Sequence, residues 1–177
     1  FNTTASKANV WVAPRPGTDG ALALAICKRL VDAGNYDATF VAKYTLGFDE
    51  FVKYLNGDGT YDDVPKTSAW AESVTGVPAA NIDAIALELG NAYIKGAKIC
   101  IDTWSGPGHH TNATQGGRAI NAINLLLGAI DRQGTLGMPL RNGPARRAKV
   151  ATWPAKDGWR PDGRDDVVIP ATNPDGT

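Results

Sequence analysis

Asp19, in the stretch Ala13-Pro14-Arg15-Pro16-Gly17-Thr18-Asp19-Gly20, is the residue whose chemistry is most specific. An ionised carboxylate only accepts hydrogen bonds. Guanine offers N1–H and N2–H side by side, and one carboxylate can take both. Adenine offers an acceptor at N1 and meets repulsion. A charge-assisted hydrogen bond of this kind contributes on the order of 1.5–3 kcal/mol. The same carboxylate at a helix start is also favoured by the helix dipole, so the residues alone leave cap and base reader both open. A second polar stretch is Thr103-Trp104-Ser105-Gly106-Pro107-Gly108-His109-His110-Thr111-Asn112. Gly106-Pro107-Gly108 begins like G-x-G-x-x-G, but Thr111 stands where the third glycine belongs. A binding loop and a plain Gly/Pro turn are both open there. His109 and His110 are the only histidines. Adjacent in a loop, their side chains diverge, and no acidic or cysteine partner lies at ligand spacing, so the pattern gives no metal site. Polar contact with a ligand or neighbouring domain suits them better. No G-x-x-x-x-G-K-[ST] loop, H-E-x-x-H pair or nucleophile elbow is present.

These groups need elements to position them. Val10-Trp11-Val12 reads as a strand, Pro16-Gly17 as a turn, and Thr18 or Asp19 as the cap of a helix. Leu22, Ile26 and Leu30 recur at helical spacing, with Leu24 and Val31 widening the face, and Gly34 stops the helix. Asp37 starts a short helix with Phe40, Val41 and Tyr44. Phe48, Phe51, Val52 and Leu55 form the stripe of another. Asn56-Gly57-Asp58-Gly59 is a turn cluster, and residues 60–68 are a polar connection. Trp70 to Val74 is a short helix closed by Gly76. Pro78 opens the next as its first helical residue, lined by Ile82, Ile85 and Leu89, with Gly90 weakening its end. Ile99-Cys100-Ile101 reads as a buried parallel strand. A last helix runs roughly from Thr114 to Ala129, with Ile120, Ile123, Leu126 and Leu127 on one side. A strand, a Gly-rich loop and a helix thus occur twice. Right-handed crossovers would bring both loops to one sheet edge, where open α/β sheets bind ligands.

Composition narrows the functional classes. The chain has 177 residues, 43% of them hydrophobic and 20% charged, with 18 basic against 18 acidic side chains. That length allows one domain with a real core, and the charge balance gives no support for a nucleic-acid or membrane-surface role. No apolar run reaches the roughly 20 residues of a membrane helix. Cys27 and Cys100 are too far apart for a zinc or iron–sulfur pattern and read as small buried hydrophobes. The opening Phe1-Asn2-Thr3-Thr4 is polar, has no initiator Met and reads as a piece cut from a longer chain. The expected fold is α/β: a three-layer αβα domain with a short, mostly parallel sheet, an incomplete Rossmann-like arrangement over 1–134. An irregular Gly/Pro/Arg-rich extension over 135–177 follows, packed on that domain or on a neighbour, with one suggested strand at Val167-Val168-Ile169.

Four ordered stretches carry a family resemblance. Val10 to Leu24 resembles the R-P-G-T-D-x-A-L-A-L segment of molybdopterin oxidoreductases of the dimethyl sulfoxide reductase family. Tyr36 to Phe48, Trp70 to Pro78, and Gly106 to Arg118 with the run to Gly134 are similar to that family's later motifs, in the same order. The resemblance covers about residues 5–140.

It implies that this segment is much of one of two α/β domains, each holding one arm of a bis(molybdopterin guanine dinucleotide) cofactor with molybdenum or tungsten. It implies that Asp19 recognises guanine, that Arg15, Pro16, Gly17 and Thr18 shape the pocket, and that Ser105, Gly106, Gly108, His109, His110 and Asn112, with Gln115 and Arg118 nearby, belong to that pocket or to the funnel. The parent would be an oxidoreductase transferring oxygen atoms or electrons. A non-redox hydratase or transhydroxylase of the same family is the alternative, as is a generic nucleotide-binding or interaction module. Implied partners are the remaining domains of the catalytic subunit and an iron–sulfur electron-transfer subunit, with no nucleic acid and no direct membrane insertion. A bacterial parent would be periplasmic or associated with the cell envelope. The family's cluster cysteines, metal-ligand segment and closing C-terminal domain are not in this sequence, and Asn2-Thr3-Thr4 departs from the usual Asp-Pro-Arg-like start. An iron–sulfur cluster is therefore expected elsewhere in the parent, no catalytic or metal-ligating residue is assigned, and the isolated segment is expected to bind no cofactor and to be inactive.

Overall fold

The computed structural model describes residues 3–136. Among them are six α-helices: α1 (Asp19–Asp32), α2 (Ala38–Tyr44), α3 (Phe48–Asn56), α4 (Ser68–Thr75), α5 (Ala79–Ile94) and α6 (Ala113–Leu126), with single 3-10 turns at Ala5–Lys7 and Gly106–Gly108. The extension, from residue 137 on, and the strand expected at Val167–Ile169 lie outside the described residues.

α1 is the central helix and packs against α3, α4, α5 and α6. Its buried residues are Ala23, Ala25, Ile26, Cys27 and Leu30, more than the single face that spacing predicts. A helix covered on most sides must be apolar on most sides, and the alanines and Cys27 supply that width. Local signals set the helix ends. The Asp37 carboxylate accepts from the Phe40 N–H at 2.8 Å and Thr67 Oγ1 from the Trp70 N–H at 3.1 Å, which are ordinary N-caps. Pro78 precedes the first residue of α5 rather than being it, with its ψ of 135° still extended. α5 continues through Gly90 to Ile94. There Asn35 packs on the glycine so closely that a Cβ would lie 2.8 Å from its Nδ2, so Gly90 serves packing rather than termination.

The expected parallel sheet does not form among the described residues. Neither Val10–Val12 nor Ile99–Ile101 is a strand, and the ladder contact present is a single parallel bridge between Ile130 and Leu136. A strand needs a neighbour, and these residues supply no second strand beside either run. Ile101 is held by a side chain instead: buried Asn124 accepts from its N–H at 2.9 Å and donates to its carbonyl at 2.8 Å. The segment keeps the period-two alternation of extended chain. Ile99 is buried and Ile101 partly so, while Cys100 between them is exposed, contrary to its expected burial. Cys27 does pack in the core, with its Sγ 3.9 Å from the Ala119 carbonyl. Desolvation there pushes its thiol far above the usual range.

Glycine permits the close crossing of α1 and α6. A Cβ on Gly20 would stand 2.9 Å from Gly116 Cα, a clash with backbone, whereas a Cβ on Gly116 would meet Gly20 at 4.0 Å, an ordinary contact. Seven residues on, Cys27 faces Ala119, so small residues line the seam on both helices. The asymmetry yields a prediction for chemical denaturation. Gly20→Ala should cost about 1–3 kcal/mol through overpacking. Gly116→Ala should be neutral or stabilise by up to about 1 kcal/mol, because it removes a helical glycine. Equal losses in the two variants would contradict this crossing.

Candidate functional site

Because α1 and α6 cross near their first turns, both helices begin at one cavity of ≈ 800 Å³. Its polar side is made by Thr18, Asp19, His110, Asn112, Gln115 and Arg118, and its apolar side by Leu24, Val41, Phe48, Phe51, Tyr54 and Trp70. That size and mixture suit a ligand of nucleotide scale. Neither helix start is closed by a capping side chain, so both present backbone N–H groups and the positive ends of their dipoles.

The sequence-predicted residues divide by position. Gly17, Thr18, Asp19, His110 and Asn112 line this cavity. Pro16, Gly108 and His109 line an adjoining cleft that shares Gly17, His110 and Asn112 with it. Gly17 has φ +81°, and a Cβ there would lie 3.1 Å from His110 Nδ1. Glycine thus lets the two loops touch in a backbone conformation other residues resist. Thr18 Oγ1 donates to the Arg15 carbonyl at 2.6 Å and tightens the turn instead of capping α1. The Asp19 carboxylate has no hydrogen bond or ion pair among the described residues. It is partly buried, lines the cavity and stands at the positive end of α1.

Arg15, Ser105 and Gly106 do not line the cavity. Arg15 Nη1 donates to the Ser73 and Val74 carbonyls at 3.0 and 3.1 Å, and the Arg15 N–H donates to the Thr75 carbonyl at 2.8 Å. The cation therefore binds the carbonyl end of α4, the end its dipole makes negative. Ser105 and Gly106 build the 3-10 turn, with the Ser105 carbonyl accepting from the Gly108 N–H at 2.9 Å.

The aromatic wall was not legible as a site in the sequence. Phe48 and Phe51 read as core residues of α3, yet Leu55 is the residue of that stripe that is fully buried. Lys66 organises this side. Nearly fully buried, it reaches Asp62 with bonds of 2.6 and 2.8 Å and the Val64 carbonyl at 2.6 Å. Its ammonium lies 4.5 Å from the Tyr54 ring centroid and 5.3 Å from that of Trp70, so cation–π attraction steadies two rings of the wall. At the rim, Glu50 accepts from Lys53 and from the Tyr61 hydroxyl. Lys53 first, and then Tyr61, holds the Glu50 carboxyl below its usual range, and the same contact raises the Tyr61 phenol.

A carboxylate without a partner among the described residues lines a cavity of nucleotide scale, the uncapped start of α6 can receive an anion, and side-chain amides and a guanidinium line the same cavity. Among the described residues no cluster of three or more His, Cys, Asp or Glu is arranged to hold a metal. Also among the described residues, no helix is long and apolar enough to cross a membrane.

Comparison with known proteins gives the following. No family model matches the chain. It is 37% identical over 145 residues to a probable dimethyl sulfoxide reductase chain of Escherichia coli, covering 75% of this chain and 17% of that one. It is 31% identical over 171 residues to the dimethyl sulfoxide reductase DmsA of the same organism, covering 85% and 20%. The chain therefore spans about a fifth or less of the length of these relatives. Among solved structures, acetylene hydratase from Pelobacter acetylenicus matches with a TM-score of 0.61 at 21% identity, covering 72% of this chain and 16% of that one. This likeness concerns the fold.

The Lys66 contacts generate a pH prediction. Lys66 first, and then the Val64 N–H, lowers the Asp62 carboxyl below its ordinary value. A depressed acid contributes stability above its unfolded pKa and loses it as pH falls through the folded value. Asp62→Asn should therefore be less stable than wild type near neutral pH, and the gap should close in strong acid, below the usual carboxylate range. A gap that stays constant from neutral pH down into strong acid would contradict the pairing.

Proposed function

We propose, for a chain that belongs to the dimethyl sulfoxide reductase family of molybdopterin proteins, that this segment holds one guanine dinucleotide arm of a molybdenum or tungsten cofactor within a larger enzyme. The observation that carries the reading is the Asp19 carboxylate, without a partner among the described residues and facing the cavity at the start of α1. It would take the N1–H and N2–H of guanine at the start of α1, while the start of α6 would receive the diphosphate. Asn112, Gln115 and Arg118 line the same side and offer donors to the remaining acceptors of the nucleotide, and His110, packed on Gly17, keeps the two loops together. Pro16, Gly108 and His109 in the adjoining cleft extend the same surface. Arg15, Ser105 and Gly106 act by shaping the turns.

The bound cofactor would supply the redox-active metal–dithiolene centre. This chain's part is orientation and electrostatics. The parent is read as an oxidoreductase moving oxygen atoms or electrons to or from a small substrate, in keeping with the reductase names of its relatives. The remaining domains of the catalytic subunit and an iron–sulfur electron-transfer subunit are its proposed partners. We read Val10–Val12 and Ile99–Ile101 as strands of a parallel sheet that chain outside these residues would complete, the latter along the edge that Asn124 does not occupy.

Asp19→Asn in the intact parent tests the role. The variant keeps size but turns one acceptor into a donor facing a guanine N–H. Losing a charge-assisted pair worth about 1.5–3 kcal/mol corresponds to about 10- to 150-fold weaker retention of the dinucleotide. Metal, pterin and guanine analysis should show the variant depleted of all three. Wild-type content of all three would refute the guanine role.

A further inference from the structure

α6 touches the loop Asp102–Asn112 at both of its ends. At one end the loop runs straight into the helix, beside the cavity. At the other, Asn124 grips Ile101, the residue before the loop, with the two bonds of 2.9 and 2.8 Å. Asn124 is completely buried. An amide in that position meets one N–H and one carbonyl of the same residue, which is what a neighbouring strand would do for an extended chain.

The geometry sets the span of the loop. Asn112 and Asn124 are twelve residues apart on a helix, about 18 Å at 1.5 Å per residue. Eleven residues of extended chain from Ile101 to Asn112 could reach about 36 Å. The excess is taken up by local turns, with the Gly108 N–H on Ser105, His109 on Gly106 and Ala113 on His110. No hydrogen bond among the described residues links residues 103–111 to α1 or its preceding turn. The place of His110 against Gly17 therefore depends on where the loop ends are fixed: the Ala113 N–H on the His110 carbonyl fixes the near end, and Asn124 the far one.

We propose that Asn124 is a positioning residue of the ligand site: its amide takes the place of a strand partner for Ile101 and holds the loop that carries His110 and Asn112 against the start of α1. The effect on ligand affinity rests on the guanine-nucleotide reading above, whereas the effect on the loop does not.

The test compares the intact parent protein, stripped of cofactor, with its variants Asn124→Leu, which loses both bonds at similar volume, and Asn124→Asp, which keeps an acceptor for the Ile101 N–H but loses the donor to its carbonyl. Two quantities are read well below the unfolding temperature, with circular dichroism showing the helices intact: amide hydrogen exchange across residues 99–112, and binding of guanosine diphosphate by calorimetry. In Asn124→Leu, exchange at Ile101 and through the loop should speed by about tenfold or more and the Kd for guanosine diphosphate should rise about tenfold, while α1 peptides keep their protection. Asn124→Asp should free the loop yet leave the Ile101 amide itself better protected than in the Leu variant. A role in packing alone would loosen α1 and α6 together and leave affinity unchanged in the folded protein, and that result overturns the proposal. Unchanged loop exchange in both variants overturns it too. If the cofactor-free wild-type parent binds no guanosine diphosphate while the loop is freed in Asn124→Leu, the positioning role stands and the nucleotide reading fails.

Discussion

The approach of Gly20 to Gly116 governs where everything at the site can be. Two helices of ordinary side-chain bulk pack with axes 8–10 Å apart. Here the backbones meet where one has no Cβ and the other leaves no room for one. This brings the first turns of α1 and α6 to a single cavity, and with them two positive dipole ends, Asp19 and Arg118. The rest of the core maintains that crossing. Cys27, two turns further along α1, sits on Ala119, while α4 and α5 close the other sides of α1. Dispersing small residues elsewhere on α1 would keep its helix propensity but lose the convergence that makes a site.

The Arg15 to Asp19 turn shows how a short motif divides its work. Arg15 closes the carbonyl end of α4, Gly17 supplies a left-handed backbone and room for His110, and Thr18 ties the turn to itself. Three polar or special positions are thus consumed by making the turn, and one carboxylate remains facing the cavity. The acceptor is placed by neighbours already satisfied in their own hydrogen bonds, so the turn presents it preformed, as the proposed ligand role requires.

Helix positions and caps were readable from local chemistry because local chemistry decides them. Asp37 and the apolar spacings of α1 and α6 act within a few residues, whereas Thr67, read as part of a polar connection, caps α4, and Thr18, read as a cap, does not cap α1. The turn around Asp19 was readable as a turn leading into a helix for the same reason, while its role at guanine is a proposal drawn from the carboxylate's chemistry and the family resemblance. What could not be read depends on partners distant in sequence. Lys66 looks like a solvated loop residue until Tyr54, Trp70 and Asp62 surround it. Arg15 reads as a residue that shapes the pocket until α4 presents its carbonyls. The run Ile99-Cys100-Ile101 looks like a buried strand, yet pairing is a property of neighbours, and here a helix side chain provides it. The aromatic wall was hidden because apolar residues at helical spacing carry the same signal whether they face a core or a cavity.

A crystal structure of the parent enzyme with its cofactor bound tests the central claim most directly. The claim requires both Asp19 carboxylate oxygens to lie about 2.7–2.9 Å from the N1 and N2 atoms of one guanine, the spacing of charge-assisted hydrogen bonds. A guanine bound elsewhere, or Asp19 paired with a protein cation while the base sits in the cavity, would contradict it.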